Sequence, residues 1–317
     1  MAMNHSKCWV ASLWAVSGLT AAFGQQTGGA EGAIIDQKPC VLGPYEQQSG
    51  FTKRFYSKED YESAGSSPRA ECSRIVYMSD GLKVVGYLVR PRNLGAIRLP
   101  VIIFNRGGFL ERGKIESFNL VDFTRLSEQG FVLLASQYRG NDGGEGYEEV
   151  GGADLDDVSN LLATARLLPY ADTGNIFMYG VSRGGMMTFL EMKRNFPMKA
   201  AAVVGAVYDV AAFGERAPGV LAEAAKLIPD YAQKGSAALE ERSVMKWPEA
   251  VNVPLLILHG AADDEVPATE ALAFAVKMSS LKKPYELVVY AGDVHEVAGH
   301  RRERDERIAA WFRRYLH

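Results

Sequence analysis

Cysteine, metal-binding patterns, membrane-length apolar runs and surplus positive charge are all scarce in this chain of 317 residues, and each scarcity removes a class of function. The 35 basic residues are outnumbered by 38 acidic ones, so no positive excess is present to neutralise a phosphate backbone, and nucleic acid is not an expected partner. There is no His-Glu-x-x-His, no paired Cys-x-x-Cys and no calcium-loop spacing, so neither a metal nor a cofactor is expected. The acidic trio Asp154, Asp156 and Asp157 reads instead as charge bias at a helix N-terminus. The one extended apolar run, CWVASLWAVSGLTAAF, follows Lys7 and leads to Ala22 and Gly24, small residues placed for cleavage before Gln25. Residues 1–24 are therefore expected to be an export signal, with an uncleaved anchor as the alternative reading. The mature protein is expected to be secreted or periplasmic, without stable membrane association. Export would leave Cys40 and Cys72 as an even pair in an oxidising compartment, either disulfide-bonded or free.

The 47% apolar content is enough to bury a large core, and its arrangement points to an α/β fold. Residues 25–70 read as a flexible leader followed by an arm with aromatics of no clear period. ECSRIVYM and LKVVGYLVRP then flank Ser79-Asp80-Gly81 as an antiparallel hairpin. From there apolar strands alternate with helical stretches: VIIF, FVLLASQY, IFMYG, AAAVVGAVY, LLILHG and ELVVYAG are separated by helix-like segments such as DLDDVSNLLATARLL. Near-continuous apolar strands in this alternation mean a mostly parallel sheet covered by helices on both faces. Residues 210–249 interrupt the pattern with weakly periodic sequence, expected to be a helical lid inserted over a site. RRERDERIAAWFRR closes the chain as an amphipathic helix with a solvated charged face.

The stretch IFMYGVSRGGMMT places Ser182 in a Gly-x-Ser-x-Gly turn, directly after a strand and before a helix. Gly180 and Gly184 permit a turn too tight for side chains, which lifts the serine hydroxyl above the sheet. A serine needs a base to take its proton, and histidine ionises near neutrality. The five histidines permit elimination: His5 lies in the signal, His317 ends the chain, His259 sits where a histidine braces a turn, and His300 lies at the entry to the last helix. His295, on the loop after the last strand, is the expected base. The loop after LLILHG supplies carboxylates at Asp263, Asp264 and Glu265, and the chain order serine, acid, histidine is that of one known triad arrangement. Oxyanion donors are expected from the backbone N–H of Arg183 and from the loop Asn105-Arg106-Gly107-Gly108.

These landmarks resemble the α/β-hydrolase superfamily and, within it, the catalytic domain of the prolyl oligopeptidase family of serine peptidases. SDGLKVVGYLVRP, the YRG of QYRGNDGGEG, GVSRGG, HGAADDEVP and GDVHEV occur in that family's order over roughly residues 72–317. The resemblance implies Ser182 as nucleophile, Asp263 as the triad carboxylate and His295 as base, with residues 71–317 as the catalytic domain. The family's best-known peptidases carry a β-propeller before this domain, where this chain has a short arm. Arg183 replaces an aromatic or small residue. Arg106 stands where some members have a tyrosine that assists the oxyanion, so either the Arg106 guanidinium or the Gly107 N–H is expected to take that task. The implied activity is acyl transfer to water from a small peptide or ester, and a carboxylesterase or dienelactone-hydrolase-like esterase shares every residue named. A non-catalytic binding protein on the same fold is the reading from another class, set against an intact serine and histidine.

Overall fold

The computed structural model describes residues 29–93 and 95–317, so the expected signal in residues 1–24 lies outside it. In chain order the elements are β1 Ile34–Pro39, α1 Gly50–Phe55, α2 Lys58–Gly65, β2 Ala70–Ser79, β3 Leu82–Pro91, β4 Leu99–Asn105, α3 Ser117–Glu128, β5 Val132–Ser136, α4 Asp154–Leu167, β6 Ala171–Val181 and α5 Arg183–Lys193. There follow β7 Ala200–Val204, then α6 Val210–Arg216, α7 Pro218–Ala225, α8 Tyr231–Lys234 and α9 Ser236–Glu240. The chain closes with β8 Leu255–Gly260, α10 Ala268–Ser280, β9 Tyr285–Tyr290, a 3-10 turn His295–His300 and α11 Arg301–Arg313. Among the described residues no helix is long and apolar enough to cross a membrane.

The nine strands form one sheet in the order β1-β2-β3-β5-β4-β6-β7-β8-β9. β4 to β9 are parallel, while β1, β2 and β3 join the edge antiparallel. This is the α/β-hydrolase arrangement. Strands read as unbroken apolar runs because both faces are covered. Along β6, Ile176 and Met178 join α4, α5 and α10 in one core, whereas Phe177 and Tyr179 join α3 and α11 in the other. Asp80 and Gly81 make a two-residue turn between β2 and β3, both at positive φ (53° and 77°), matching the twist of the flanking strands.

Four sequence readings are changed or settled here. The leader is not wholly flexible, because Ile34–Pro39 pairs along β2 as an edge strand. Edge pairing is made by backbone groups, so a segment with two apolar residues forms it without a visible period. The arm is two short helices, capped by Ser49 (accepting from Thr52 N, 3.2 Å) and Ser57 (accepting from Asp60 N, 3.0 Å), a cap signal stronger than the apolar period. Cys40 and Cys72 are disulfide-bonded, tying this arm to β2. Finally, α11 does not expose its charged face uniformly: Arg301, Arg304 and Asp305 are buried.

Candidate active site

Parallel strands that end at the same sheet edge bring distant loops together. β6 ends at Ser182, β8 leads to Asp263, β9 to His295 and β4 to Gly107. Ser182 has φ 55° and ψ −123°, a conformation that costs a non-glycine residue about 1–3 kcal/mol. The surroundings hold it there: its N–H donates to Val204 O (2.9 Å), and its carbonyl accepts from Gly185 N (2.9 Å) and Val207 N (3.2 Å). The flanking glycines are steric necessities. A Cβ on Gly180 would collide with Gly184 O, and one on Gly184 with Asn105 O, because α5 starts directly against β4 and β6.

His295 Nδ1 donates to Asp263 Oδ2 at 2.7 Å, which fixes the ring and its tautomer, since a carboxylate can only accept. Asp263 is held in turn. Its Oδ1 accepts from Glu265 N (3.0 Å) and Val266 N (2.9 Å), and His259 Nε2 lies 3.3 Å from Oδ2 while donating to Val266 O at 2.7 Å. His259 thus braces the turn, as its sequence position indicated, and the braced group is the carboxylate. Burial works against a charged Asp263, but the hydrogen bonds from His259 and His295 outweigh it and keep the carboxyl well below its usual range. Burial likewise opposes a charged His295, yet the bond and charge of Asp263, with Glu265 and Glu296 beyond, push the imidazole up to about 9. His300 is elsewhere, half-exposed and paired with Asp293 (2.8 Å).

Ser182 and His295 line one cavity of ≈ 320 Å³ whose far wall is apolar, built from Val150, Met186, Val210, Phe213, Leu221 and Ala224. Most of that wall comes from α6 and α7, within the segment read as a lid. His295 Nε2 is buried and has no hydrogen-bond partner among the described residues; Glu265 Oε2 is 3.9 Å away. The structure thus has no hydrogen bond between His295 Nε2 and Ser182. Gly107 lies against the serine, since a Cβ there would be 3.1 Å from Ser182 Cβ. Arg183 opens α5, in the first turn where the helix offers its N–H no acceptor. A larger cavity of ≈ 720 Å³ between β1, the arm and α3 is lined by Lys38, Arg74 and Glu116 and holds none of these groups.

Residues 116–317 match the prolyl oligopeptidase family. The chain belongs to that family. It is similar to YtmA, an uncharacterised peptidase of Bacillus subtilis, at 29% identity over 226 residues, 70% of this chain and 84% of that protein. It is also similar to YuxL, an uncharacterised peptidase of the same organism, at 29% identity over 252 residues, which cover 75% of this chain and 38% of the relative. Among solved structures, an acylaminoacyl peptidase of Pyrococcus horikoshii superposes with a TM-score of 0.66 at 21% identity, covering 79% of this chain and 43% of that one. A puromycin-hydrolysing peptidase of Mycobacterium tuberculosis gives 0.65 at 22% identity over 74% of this chain and 38% of the other. These likenesses in structure establish the shared fold.

In this family member the side chains of the two arginines beside the serine are tied into buried polar networks. The Arg106 guanidinium, one of the two expected oxyanion donors, is 1% exposed and turned into the loop. It donates to Gln137 O (3.0 Å), Gly107 O (3.0 Å) and Arg112 O (3.2 Å), and stands 3.5 Å from Glu148, so the side-chain version of that expectation is withdrawn. A guanidinium surrounded by carbonyls braces the loop from within. The Arg183 side chain runs below the cavity, ion-paired with Glu148 and Asp154 and stacked 4.9 Å from the Tyr138 ring centre. The acidic trio is correspondingly more than helix-end bias. Asp154 and Asp157 are fully buried, Asp157 bonding Ser79 (2.7 Å) and Arg139, and only Asp156 remains at the surface, paired with Arg194. Sequence reasoning missed Glu148 altogether, because the glutamates of EGYEEVGG carry no period and no motif.

Proposed function

We propose that this protein is an exported serine hydrolase that cleaves a peptide bond, or an ester, through an acyl-enzyme on Ser182. The observation that carries the reading is His295, locked to Asp263 at 2.7 Å with its other nitrogen unpartnered in the cavity that Ser182 lines. In the reacting complex the Ser182 hydroxyl hydrogen-bonds Nε2. The imidazole takes that proton as Oγ attacks the acyl carbon, and the N–H groups of Gly107 and Arg183 donate hydrogen bonds to the developing oxyanion. His295 then returns the proton to the leaving amine or alcohol, Asp263 stabilising the imidazolium meanwhile. A water activated by the same nitrogen releases the acid. The apolar wall from α6 and α7 accommodates an uncharged acyl-side chain. A peptide substrate is favoured by the peptidases among the relatives, and export by Lys7 with the apolar run of residues 1–24 and by the Cys40–Cys72 bridge.

The test offers the purified protein a fluorophosphonate probe, p-nitrophenyl esters, and alanyl and prolyl anilides. Labelling is expected at Ser182, and Ser182→Ala is expected to lower kcat by roughly 10⁴–10⁶-fold. Labelling at another residue, or turnover that survives Ser182→Ala, defeats the reading. Anilide hydrolysis well above that of esters with the same acyl group decides for the peptidase. An exported protein beginning at Gln25, read by mass spectrometry, tests the signal.

A further inference from the structure

His295 begins a turn that cannot hold its own shape. Glu296 (φ 64°, ψ 8°) and Val297 (φ 53°, ψ 47°) are both left-handed, and a buried β-branched residue persists there only if neighbours impose it. Two arginines of α11 do so. Arg304 donates to Glu296 O at 3.0 Å, and Arg301 donates to Glu296 Oε2 at 2.9 Å. Arg301 is 4% exposed and is fixed from behind by Asp122 Oδ2 at 2.7 Å. Its guanidinium lies 5.1 Å from the Phe51 ring centre, 5.0 Å from Tyr56 and 5.4 Å from Phe118. Two of those three rings belong to the N-terminal arm, and Tyr56 also donates to Asp122 at 2.8 Å. The arm itself is tethered where it starts, at Cys40.

We propose that Arg301 is a positioning residue for His295, and that the N-terminal arm, through Phe51 and Tyr56, holds Arg301 in that role. The inference rests on the serine-hydrolase reading of the site. Stacked between aromatic faces and bonded to two carboxylates, a guanidinium loses its freedom to follow Glu296 if the loop drifts. The arm thereby reaches, through Arg301, the turn that carries the base. The arginine also compensates the Glu296 carboxylate. The groups facing the His295 imidazole are Asp263 and Glu265 from the loop after β8, with His259 behind Asp263, and Glu296 from its own turn; Arg112 lines the same cavity. Without Arg301 the Glu296 charge stands uncompensated beside the ring, so the imidazolium survives to higher pH.

The experiment measures kcat and KM against pH for p-nitrophenyl butyrate with Arg301→Met, Arg301→Lys and Phe51→Ala. Arg301→Met is expected to lower kcat roughly a hundredfold with KM within about threefold of wild type, the scale of a catalytic group displaced by about 1 Å. Its acidic limb should move to higher pH, and Arg301→Lys should restore the limb and part of kcat. Phe51 is 36% exposed, so Phe51→Ala folds and decides the matter even where Arg301→Met does not. Its kcat should fall about fivefold at an unchanged KM, a modest loosening on the same positional scale. Wild-type kcat and pH limb in both Phe51→Ala and Arg301→Lys overturn the proposal. Full turnover by Ser182→Ala would instead remove the serine reading, so the two failures are distinguishable.

Discussion

Two buried charge clusters lie behind the site, and they support its two halves by different means. One surrounds Arg183 beneath the nucleophile, with two guanidinium groups, Arg106 and Arg183, shared between Glu148 and Asp154. The other lies behind His295, where Arg125, Arg301 and Arg304 meet Asp122, Asp305 and Glu296. The first is assembled from loops at the carboxyl edge of the sheet, the same edge that carries the chemistry. The second bridges α3, α11 and the N-terminal arm, joining Asp122 to residues 179 and 182 positions away in the chain. Their electrostatics differ as well. Burial disfavours a charged Glu148, but Arg183 and Arg106 outweigh it and hold the carboxyl below its usual range. In the second cluster two carboxylates compete for shared arginines. Burial, opposed by Arg304 and reinforced by Asp122, pushes Asp305 up to about 6. The difference is that the arginines of the first cluster favour the charged form of Glu148, whereas in the second they favour a charged Asp122 and leave Asp305 pushed up by burial.

The sharpest way to break this comparison is Glu148→Ala, which leaves two buried guanidinium groups sharing Asp154. It is expected to cost roughly 3–5 kcal/mol, read by urea unfolding, with a penalty that does not vary between pH 5 and 8. A loss below about 1 kcal/mol would mean that the first cluster is no brace. Replacing both Cys40 and Cys72 by serine should cost about 3 kcal/mol through the released loop. That loss should fall on the arm side, loosening hydrogen exchange in α1 and α3 while the amides around Ser182 stay protected. Asp305→Asn should remain within about 1 kcal/mol of wild type at pH 7.5, since it removes a charge that burial already penalises. Here the sign matters. A carboxyl whose folded pKa is raised contributes stability below its unfolded pKa near 3.8 and loses it as pH rises through about 6, so the wild type should weaken between pH 4 and 7 more than the variant does. The smallest effect is kinetic. Because Asp263 raises His295, the acidic limb of kcat/KM should lie above 6.5, between the free imidazole and about 9; a limb below 6.5 would contradict the ion pair.

Most of the site was legible because its requirements are local. Gly180, Ser182 and Gly184 encode a strand-turn-helix whose sterics permit little else, and Asp263 and His295 follow strands recognisable by apolar runs. The hairpin announced itself in Asp80-Gly81, and the helices of residues 210–249 in the absence of a core strand. The misreadings share another origin. Arg106, Arg304 and Asp154 were judged by type, as a donor, a solvated face and helix-end charge, whereas their roles come from partners more than 25 positions distant or from burial that type argues against. β1 was missed because an edge strand depends on the backbone of its neighbour and hardly on its own side chains.

The order of residues alone determined the strand and helix alternation, the strained serine turn and the choice of histidine, since periodicity, glycine sterics and a count of five imidazoles act without knowledge of the fold. Tertiary structure decided that the Arg106 guanidinium is turned away from the serine, which carboxylates are braces, and that the N-terminal arm reaches the His295 turn through Arg301. Those are matters of distance and desolvation. A charge acquires its meaning only when the chain has set its partners within a few ångströms and excluded the water around them.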